Sequence, residues 1–220
     1  MSELPQAIFF DVGGTLIRPA QPVGATYAEV ASHYGATLDA ERVQREFVNA
    51  YTSMQDRAGY PVGCDGDDRG WWGEVVRRSL ARESLPETFP RELFFEEAYA
   101  VFERSDVWRV YPEVEQVLAE LRERGHLLYV LSNWDARLHA TLRGLGLTPY
   151  FERIFASAEH GVAKPDPAYY EVAARAAGVA PHEAMMVGDD EENDYWAPRR
   201  AGWQAVIVDR EKGEDLTKVL

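Results

Sequence analysis

The chain has 220 residues, of which 46% are hydrophobic and 27% are charged. These values are typical of a folded globular protein and exclude a disordered or fibrous chain, and the length allows one large domain or a core with a smaller second part. The formal net charge of −14 provides no basic surface for nucleic acid or an anionic membrane, so we expect neither as a partner.

Cysteine content and the amino terminus bear on cellular location. The single cysteine, Cys64, cannot form an intrachain disulfide, which favours a reducing compartment. The amino terminus has no basic region, its apolar run over residues 7–10 is too short for a signal peptide, and the run over 127–131 is too short to span a membrane. We therefore expect a cytoplasmic protein.

The first predicted element is a buried strand over residues 6–12, which ends at a turn containing Gly13 and Gly14. Between Pro19 and Trp108, apolar residues recur at three- and four-residue spacing, which predicts helices and no strand. The predicted helices of this helical insert span residues 24–34, 39–57, 70–83 and 90–105.

Helices and strands alternate in the second half of the chain. The predicted elements are a helix over 112–124, a strand ending at Ser132-Asn133, a helix over 135–143, a strand over 153–157, a helix over 167–177, a strand over 184–188, a helix over 193–201 and a strand over 203–208. This alternation predicts an α/β fold in three layers, with a parallel sheet between helices. We expect a Rossmann-like core at residues 1–17 and 110–220 and an inserted α-helical cap at 18–109.

Polar residues follow the carboxyl ends of the predicted strands, namely Asp11, Ser132, the loop with Lys164, and Asp189. Ligands of open parallel sheets bind beyond those ends, so we expect these residues to share one crevice. Asp11 stands before two glycines that let backbone amides approach an anion. Its carboxylate could attack phosphorus and form an aspartyl phosphate, although an Asp that merely stabilises a turn explains this segment equally well.

An acidic cluster follows the strand over 184–188. If Asp189 and Asp194 share the crevice with Asp11, their carboxylates provide the oxygen ligands that suit Mg²⁺. The metal would offset the repulsion among the acids and polarise a phosphoryl group. The alternative is a solvated acidic helix start, which explains the cluster better when it is taken alone.

Ser132 and Asn133 place a hydroxyl and free amides at a strand-to-helix junction, where a phosphate could bind. A residue that only caps the helix explains this junction equally well.

Lys164 precedes a helix start at Asp166-Pro167. In the crevice its ammonium would neutralise Asp11 and a transferring phosphoryl group; the alternative is an exposed lysine.

Four motifs together resemble those of the haloacid dehalogenase superfamily over nearly the whole chain: Asp11-x-Gly-Gly-Thr15, Ser132-Asn133, Lys164-Pro165 and Gly188-Asp189-(x)₄-Asp194. The combination is far more specific than any one motif. Further segments are most similar to the haloacid dehalogenase-like hydrolase domain-containing proteins: Arg69-x-Trp71-Trp72, Ser132-Asn133-x-Asp135-x-x-Leu138 and Lys164-Pro-Asp-Pro. The helical insert resembles the α-helical cap of that superfamily.

The resemblance implies a Mg²⁺-dependent hydrolase that acts on a small phosphorylated substrate. It implies that Asp11 is the nucleophile, with Ser132 and Lys164 also catalytic. The implied metal ligands are Asp11, the carbonyl of Gly13, Asp189 and Asp194. Substrate contacts are expected from Gly13, Gly14, Thr15, Ser132, Asn133 and Lys164. Arg69 of the helical insert is a further candidate anion contact, although an exposed arginine without this role is the more economical interpretation.

The chain departs from the family pattern at Gly13, where phosphatases usually carry a second Asp as general acid and base. Losing such a group costs about 10²–10⁴ in rate, so we expect activated phosphates to be favoured over alkyl phosphates. If Gly13 has a positive φ, a side chain at this position would cost about 1 kcal/mol or more.

Two other functions stay open. The dehalogenases of the superfamily also lack the second Asp and need no metal, so a 2-haloacid dehalogenase is one alternative, although that subgroup carries Ser and Asn where this chain has Asp189. The other is a non-catalytic binding or scaffold protein of the same fold.

Aromatic residues of the helical insert recur at helical spacing, which favours the interpretation that they pack within the insert over the interpretation that they recognise the substrate. These residues are Trp71, Trp72, Phe94, Phe95, Tyr99, Phe102 and Trp108.

Overall fold

The computed structural model describes residues 5–58 and 68–220. The strands in these ranges are β1 (Ala7–Phe10), β2 (Ile17–Pro19), β3 (Trp108–Val110), β4 (Leu127–Ser132), β5 (Arg153–Ala156), β6 (Ala184–Gly188) and β7 (Gln204–Ile207). The α-helices are α1 (Val23–His33), α2 (Ala40–Ala58), α3 (Arg69–Ser79), α4 (Arg91–Val101), α5 (Val114–Glu123), α6 (Arg137–Gly144), α7 (Ser157–His160), α8 (Pro167–Ala177) and α9 (Ala197–Arg200). No helix in these ranges is both long enough and apolar enough to cross a membrane.

Five strands form a parallel sheet in the order β5-β4-β1-β6-β7. Strand β1 lies at its centre and is fully buried, as expected for a strand covered on both faces. Successive residues of β1 point to opposite layers: Phe10 packs with the cluster that contains α5 and α6, and Phe9 packs with the cluster that contains α8. The predicted three-layer α/β fold is confirmed.

Helices α1 to α4 form the helical insert between β2 and β3. They surround an apolar cluster of their own, in which Tyr27 and Phe94 are 3% and 1% exposed. Their separate core supports our proposal of a core at residues 1–17 and 110–220 with a cap at 18–109.

Strands β2 and β3 form a second, antiparallel sheet in which Ile17 pairs with Val110 and Pro19 with Trp108. Between Pro19 and Trp108 the described residues contain helices and no further strand, as predicted. The sequence did not predict β2 and β3 at the two ends of that range, because three-residue strands are too short to show a two-residue hydrophobic period. The pair lies where the chain leaves the core and returns to it.

The predicted helix over 193–201 begins earlier and is irregular. Asp190 caps it by accepting a hydrogen bond from the backbone N of Asn193 at 2.7 Å. A π-helical segment then spans Glu191–Trp196 and leads into α9. This start places Asp194 inside the helical turn, where its side chain is 1% exposed.

Candidate active site

The side chains that follow the strand ends meet at one edge of the sheet. Asp11 follows β1, and its backbone N donates to the carbonyl of Val187 in β6 at 2.9 Å. Ser132 ends β4, and its Oγ donates to Oδ1 of Asp11 at 2.9 Å. Asp11 is 9% exposed and Ser132 is 2% exposed. The predicted nucleophile therefore lies at a buried junction of three strands.

Lys164 connects two of the predicted acids. Its Nζ donates to Oδ1 of Asp11 at 2.7 Å and to Oδ1 of Asp194 at 2.6 Å. Burial lowers the pKa of this ammonium, but Asp11 and Asp194 outweigh burial and hold the pKa well above its ordinary value. Lys164 therefore carries a fixed positive charge against the nucleophile.

Three carboxylates are crowded around this charge. Asp11, Asp189 and Asp194 each offer an oxygen, and these oxygens lie within 4.8 Å of one another. Burial and the neighbouring Asp11 raise the pKa of Asp189 to about 6, and burial raises that of Asp194 to about 7 against the lowering effect of Lys164. One ammonium does not balance three such acids, and a hard divalent cation that prefers oxygen ligands fits the set.

The two glycines after the nucleophile differ in their surroundings. Gly14 has φ 79°, and a Cβ at this position would lie 2.2 Å from Oδ2 of Asp189, so a side chain does not fit. Thr15 holds the same carboxylate by donating from Oγ1 to Oδ1 of Asp189 at 3.0 Å. Gly13 is not among the glycines with positive φ, so the backbone cost that a positive φ would impose on a side chain at this position does not apply. A Cβ on Gly13 would meet Cζ3 of Trp134 at 3.7 Å, an ordinary contact.

Asn133 fixes the loop that carries Lys164. Its Nδ2 donates to the carbonyl of Lys164 and its Oδ1 accepts from the backbone N of Lys164, both at 2.8 Å. Tyr169 of α8 supports the neighbouring residue by donating to the carbonyl of Ser132 at 3.2 Å. These bonds give Asn133 a positioning role toward the lysine.

A cavity of about 380 Å³ opens between this cluster and the helical insert. Predicted site residues that line it are Asp11, Gly13, Gly14, Ser132, Asn133, Lys164, Asp189 and Asp194. Aromatic side chains that line it are Tyr27, Phe47, Tyr51, Trp72, Phe95, Tyr99, Phe102, Trp108 and Trp134. Of the aromatic residues expected to serve packing, Phe94 and Trp71 lie in apolar clusters and do not line the cavity. The others line the cavity, and most of these also pack against apolar clusters; the cavity-lining residues are Trp72, Phe95, Tyr99, Phe102 and Trp108.

Arg69 does not line this cavity. Its guanidinium pairs with Glu96 and lies 4.6 Å from the ring centroid of Tyr99. Arg137 of α6 lines the cavity instead, with its Nε donating to Oδ2 of Asp135 at 2.8 Å. Sequence reasoning missed Arg137, although its place two residues after Asp135, just beyond the end of β4, could have indicated it.

A polar network joins the helical insert to the core at the wall of the cavity. The hydroxyl of Tyr99 lies 2.9 Å from Oδ1 of Asp68 and 2.5 Å from Oδ2 of Asp135. Arg137 donates from Nη1 to the carbonyl of Tyr99 at 2.9 Å, and Trp72 donates from Nε1 to Oδ2 of Asp68 at 2.6 Å. The insert and the core thus share hydrogen bonds next to the site.

The family of this chain follows from its match to a known family model. A family model described as haloacid dehalogenase-like hydrolase matches residues 5–202. The chain belongs to the haloacid dehalogenase-like hydrolases. The human haloacid dehalogenase-like hydrolase domain-containing protein 3 is 32% identical over 200 residues, which cover 90% of this chain and 80% of that protein.

Two further relatives of this haloacid dehalogenase-like hydrolase differ in the activity that they are named for. A phosphoserine phosphatase of Thermus thermophilus is 41% identical over 141 residues, which cover 63% of this chain and 57% of that protein. The structure of L-2-haloacid dehalogenase from Xanthobacter autotrophicus superposes with a TM-score of 0.70 and 23% identity, over 93% of this chain and 78% of that one. The latter likeness supports the fold alone.

The crowded carboxylates of this hydrolase predict that the metal-free protein loses stability as pH rises. The pKa values of Asp189 and Asp194, about 6 and about 7, both lie above the ordinary value of 3.8. Between 3.8 and these raised values the folded state binds more protons than the unfolded state. The free energy of unfolding should therefore fall as pH rises, by up to about 1.4 kcal/mol per pH unit for the buried Asp194 and by less for Asp189, whose exposed side chain is screened by solvent.

Urea unfolding in EDTA between about pH 5 and about pH 8 measures this slope. Asp189→Asn should reduce the slope, because its carboxamide does not titrate in this range and the remaining slope comes from Asp194. An equal slope in the variant would assign the effect to the general charge of −14 and contradict the crowding argument.

Proposed function

We propose that this hydrolase is Mg²⁺-dependent and acts on small phosphorylated molecules through an aspartyl phosphate on Asp11. The observation that carries the proposal is the pair of hydrogen bonds from Lys164 to Asp11 and Asp194. They place a fixed positive charge between a nucleophile and a group of oxygen ligands, which is what phosphoryl transfer requires. The relative from Thermus thermophilus that is named phosphoserine phosphatase supports the same class of reaction.

The residues divide into metal ligands and substrate contacts. We propose that Asp11, the carbonyl of Gly13, Asp189 and Asp194 hold Mg²⁺, which when bound neutralises charge and polarises the phosphoryl group. We propose that Ser132, Lys164, Asn133 and the Gly13-Gly14-Thr15 loop hold the phosphate, with Asn133 acting through the lysine loop. Arg69 is left out of this set because it does not line the cavity.

The proposed reaction has two steps. Oδ1 of Asp11 already accepts hydrogen bonds from Ser132 and Lys164, so we assign the attack on phosphorus to Oδ2. The bond between phosphorus and the leaving oxygen breaks, and its electron pair stays on that oxygen. Water then attacks the aspartyl phosphate, which releases inorganic phosphate and restores the carboxylate.

Gly13 supplies no proton to the leaving oxygen and takes none from the attacking water. Aryl oxides and carboxylates leave adequately without a proton, whereas alkoxides do not, so we infer that activated phosphates are preferred. The second step lacks its usual base, so the phosphoenzyme should accumulate and product should appear in an initial burst.

Assays of aryl, acyl and alkyl phosphates and of 2-haloacids, each with Mg²⁺ or with EDTA, test the proposed function. We expect Mg²⁺-dependent phosphate release from the activated phosphates and a phosphoenzyme that acid quenching traps. Halide release in EDTA would favour the dehalogenase alternative, which the absence of an acid at Gly13 supports and the carboxylate of Asp189 opposes. If no substrate is turned over and no phosphoenzyme is trapped, the scaffold alternative is correct.

Mg²⁺ should raise the melting temperature of the native protein, because a ligand that binds the folded state alone stabilises it. At a concentration of about 100 times Kd, linkage contributes about 2.7 kcal/mol, or roughly 5–10 °C for a chain of this size. Asp189→Asn should abolish the shift, and Asp190→Asn, an equal change at a neighbour outside the group of three carboxylates, should retain it. A shift of the same size in Asp189→Asn would show that the metal binds elsewhere.

We also infer a cytoplasmic protein with a small-molecule partner and without nucleic-acid or membrane partners. The inference rests on the net charge of −14 and on the single cysteine. Cys64 lies outside the described residues. Localisation of a tagged protein by fractionation tests the first part.

A further inference from the structure

We propose that the substrate is an aryl phosphate, whose leaving group is a flat and uncharged aromatic alcohol that enters the cavity between the core and the helical insert. This inference rests on the proposed function and specifies its substrate class. It follows from the wall of the cavity, from the charges along that wall and from the surroundings of Gly13.

The wall next to the nucleophile is aromatic. A Cβ on Gly13 would meet the indole of Trp134 at 3.7 Å, so an indole borders the space into which an acid at this position would extend. Trp134 packs against Trp108 with ring centroids 5.2 Å apart, and Trp108 packs against Phe102 at 5.9 Å. These three rings give a leaving group an apolar surface on which to stack.

The helical insert provides the facing surface. Trp72 of α3 and Phe95 and Tyr99 of α4 line the same cavity, and Phe95 lies 5.6 Å from Tyr99 between ring centroids. The volume of about 380 Å³ falls in the range of small-molecule sites. It accommodates a phosphoryl group and one or two fused rings, which would lie between aromatic surfaces.

The charges along the wall exclude an anionic leaving group. Among described residues, the lysine and arginine that line the cavity are Lys164 and Arg137. Lys164 is bonded to Asp11 and Asp194, and Arg137 is bonded to Asp135. A carboxylate on the leaving group would find Arg137 already paired with Asp135, and Lys164 already engaged by Asp11, Asp194 and the phosphoryl group itself, so neither cation is left to pair with it in a partly desolvated site.

Two independent features therefore select the same substrate. Gly13 provides no acid, so a leaving group that departs as a stable oxyanion is favoured, and phenols meet this condition better than aliphatic alcohols. The aromatic wall favours the same compounds by burying their rings. A phosphorylated amino acid or sugar acid would satisfy neither condition.

The first test compares phenyl phosphate, 2-naphthyl phosphate and 4-carboxyphenyl phosphate on the wild-type protein with Mg²⁺. Burial of the second ring should raise kcat/KM for the naphthyl compound about tenfold over phenyl. The carboxyphenyl compound should fall about tenfold below phenyl, although its phenol is the better leaving group. Equal values, or a preference for the charged ring, would overturn the inference.

Acetyl phosphate separates this inference from the function on which it rests. This small activated donor needs no aromatic surface, so it should label Asp11 in either case. Labelling by acetyl phosphate without any aryl preference would overturn the substrate class and leave the proposed function intact. If neither acetyl phosphate nor any aryl phosphate labels Asp11, the proposed function itself is wrong.

The second test changes the charge of the wall. Phe95→Lys places an ammonium at the aromatic surface, and we expect the ratio of carboxyphenyl to phenyl turnover to rise about tenfold. Leu93→Lys is the matched control, because this residue of the same helix is 59% exposed and does not line the cavity. An equal rise in both variants would contradict the location of the leaving group.

Binding without turnover provides a readout if Phe95→Lys does not fold. Calorimetry on the wild-type protein should show that 2-naphthylphosphonate binds about tenfold more tightly than methylphosphonate. Equal affinities for the two phosphonates would overturn the inference.

Discussion

Asp11→Asn is expected to remove hydrolysis of every phosphate substrate, with a loss in kcat of at least about 10⁴-fold, because a carboxamide cannot serve as the nucleophile. The fold should survive, since the amide oxygen can still accept the hydrogen bonds that Ser132 and Lys164 now donate to Oδ1. The substitution also removes one of three crowded negative charges, so we expect no fall in the free energy of unfolding.

Steady-state assays, acid-quench labelling and urea unfolding of the two proteins measure these effects together. Asp190→Asn is the matched control, because Asp190 also lines the cavity but is exposed and caps the π-helical segment. The Asp190→Asn variant should still form the phosphoenzyme. Turnover near the wild-type value in Asp11→Asn would exclude the covalent mechanism.

Gly13→Asp is expected to raise the turnover of alkyl phosphates relative to aryl phosphates, by a general-acid effect of about 10²–10⁴. The new carboxyl would supply the proton that an alkoxide needs, whereas an aryl oxide gains little from it. The acid would also serve as base for the attacking water, so the burst should shrink. Parallel assays of one alkyl and one aryl phosphate in both proteins measure the ratio.

The structure predicts that this variant folds. The atom nearest to a Cβ on Gly13 would be Cζ3 of Trp134 at 3.7 Å, an ordinary van der Waals contact, so the Cβ fits without displacing a neighbour. Gly14→Asp is the opposite case, because φ is 79° and the Cβ would lie 2.2 Å from Asp189. It should unfold or lose Mg²⁺ binding. A folded Gly13→Asp protein whose ratio does not rise would show that another residue already supplies the proton.

The sheet and its main helices could be predicted from the sequence because their hydrophobic patterns are long and regular. The helix α8, predicted over 167–177, has these bounds in the structure, since Asp166 caps it and Pro167 begins it. Strands β2 and β3 could not be predicted, since three residues contain no readable period. The π-helical segment could not be predicted either. Its helix begins early because Asp190 caps it, whereas the sequence pattern indicated a start at residue 193.

The approach of distant site residues could be predicted from topology alone. Asp11 and Asp194 follow the neighbouring strands β1 and β6, and Lys164 follows β5, which β4 separates from β1. All three residues lie beyond the carboxyl ends of parallel strands, where their side chains come within hydrogen-bonding distance. The other wall of the cavity could not be predicted in this way. Whether Phe95 or Arg69 faces the cavity depends on how α4 and α3 are rotated about their own axes. Helical spacing does not reveal this rotation, because the spacing is the same for a ring that packs in a core and for a ring that lines a site.

Strands β2 and β3 have a mechanical consequence. The backbone N of Gly14 donates to the carbonyl of Ile17 at 2.9 Å, and the N of Tyr111 donates to the carbonyl of Leu16 at 3.1 Å. The paired ribbon is thus tied to the loop that carries the nucleophile. If the helical insert rotates about this ribbon, we expect the rotation to displace the loop as well. Enclosure of a substrate and alignment of Asp11 would then occur in one movement, and the carboxylate would be aligned only when bulk water is shut out.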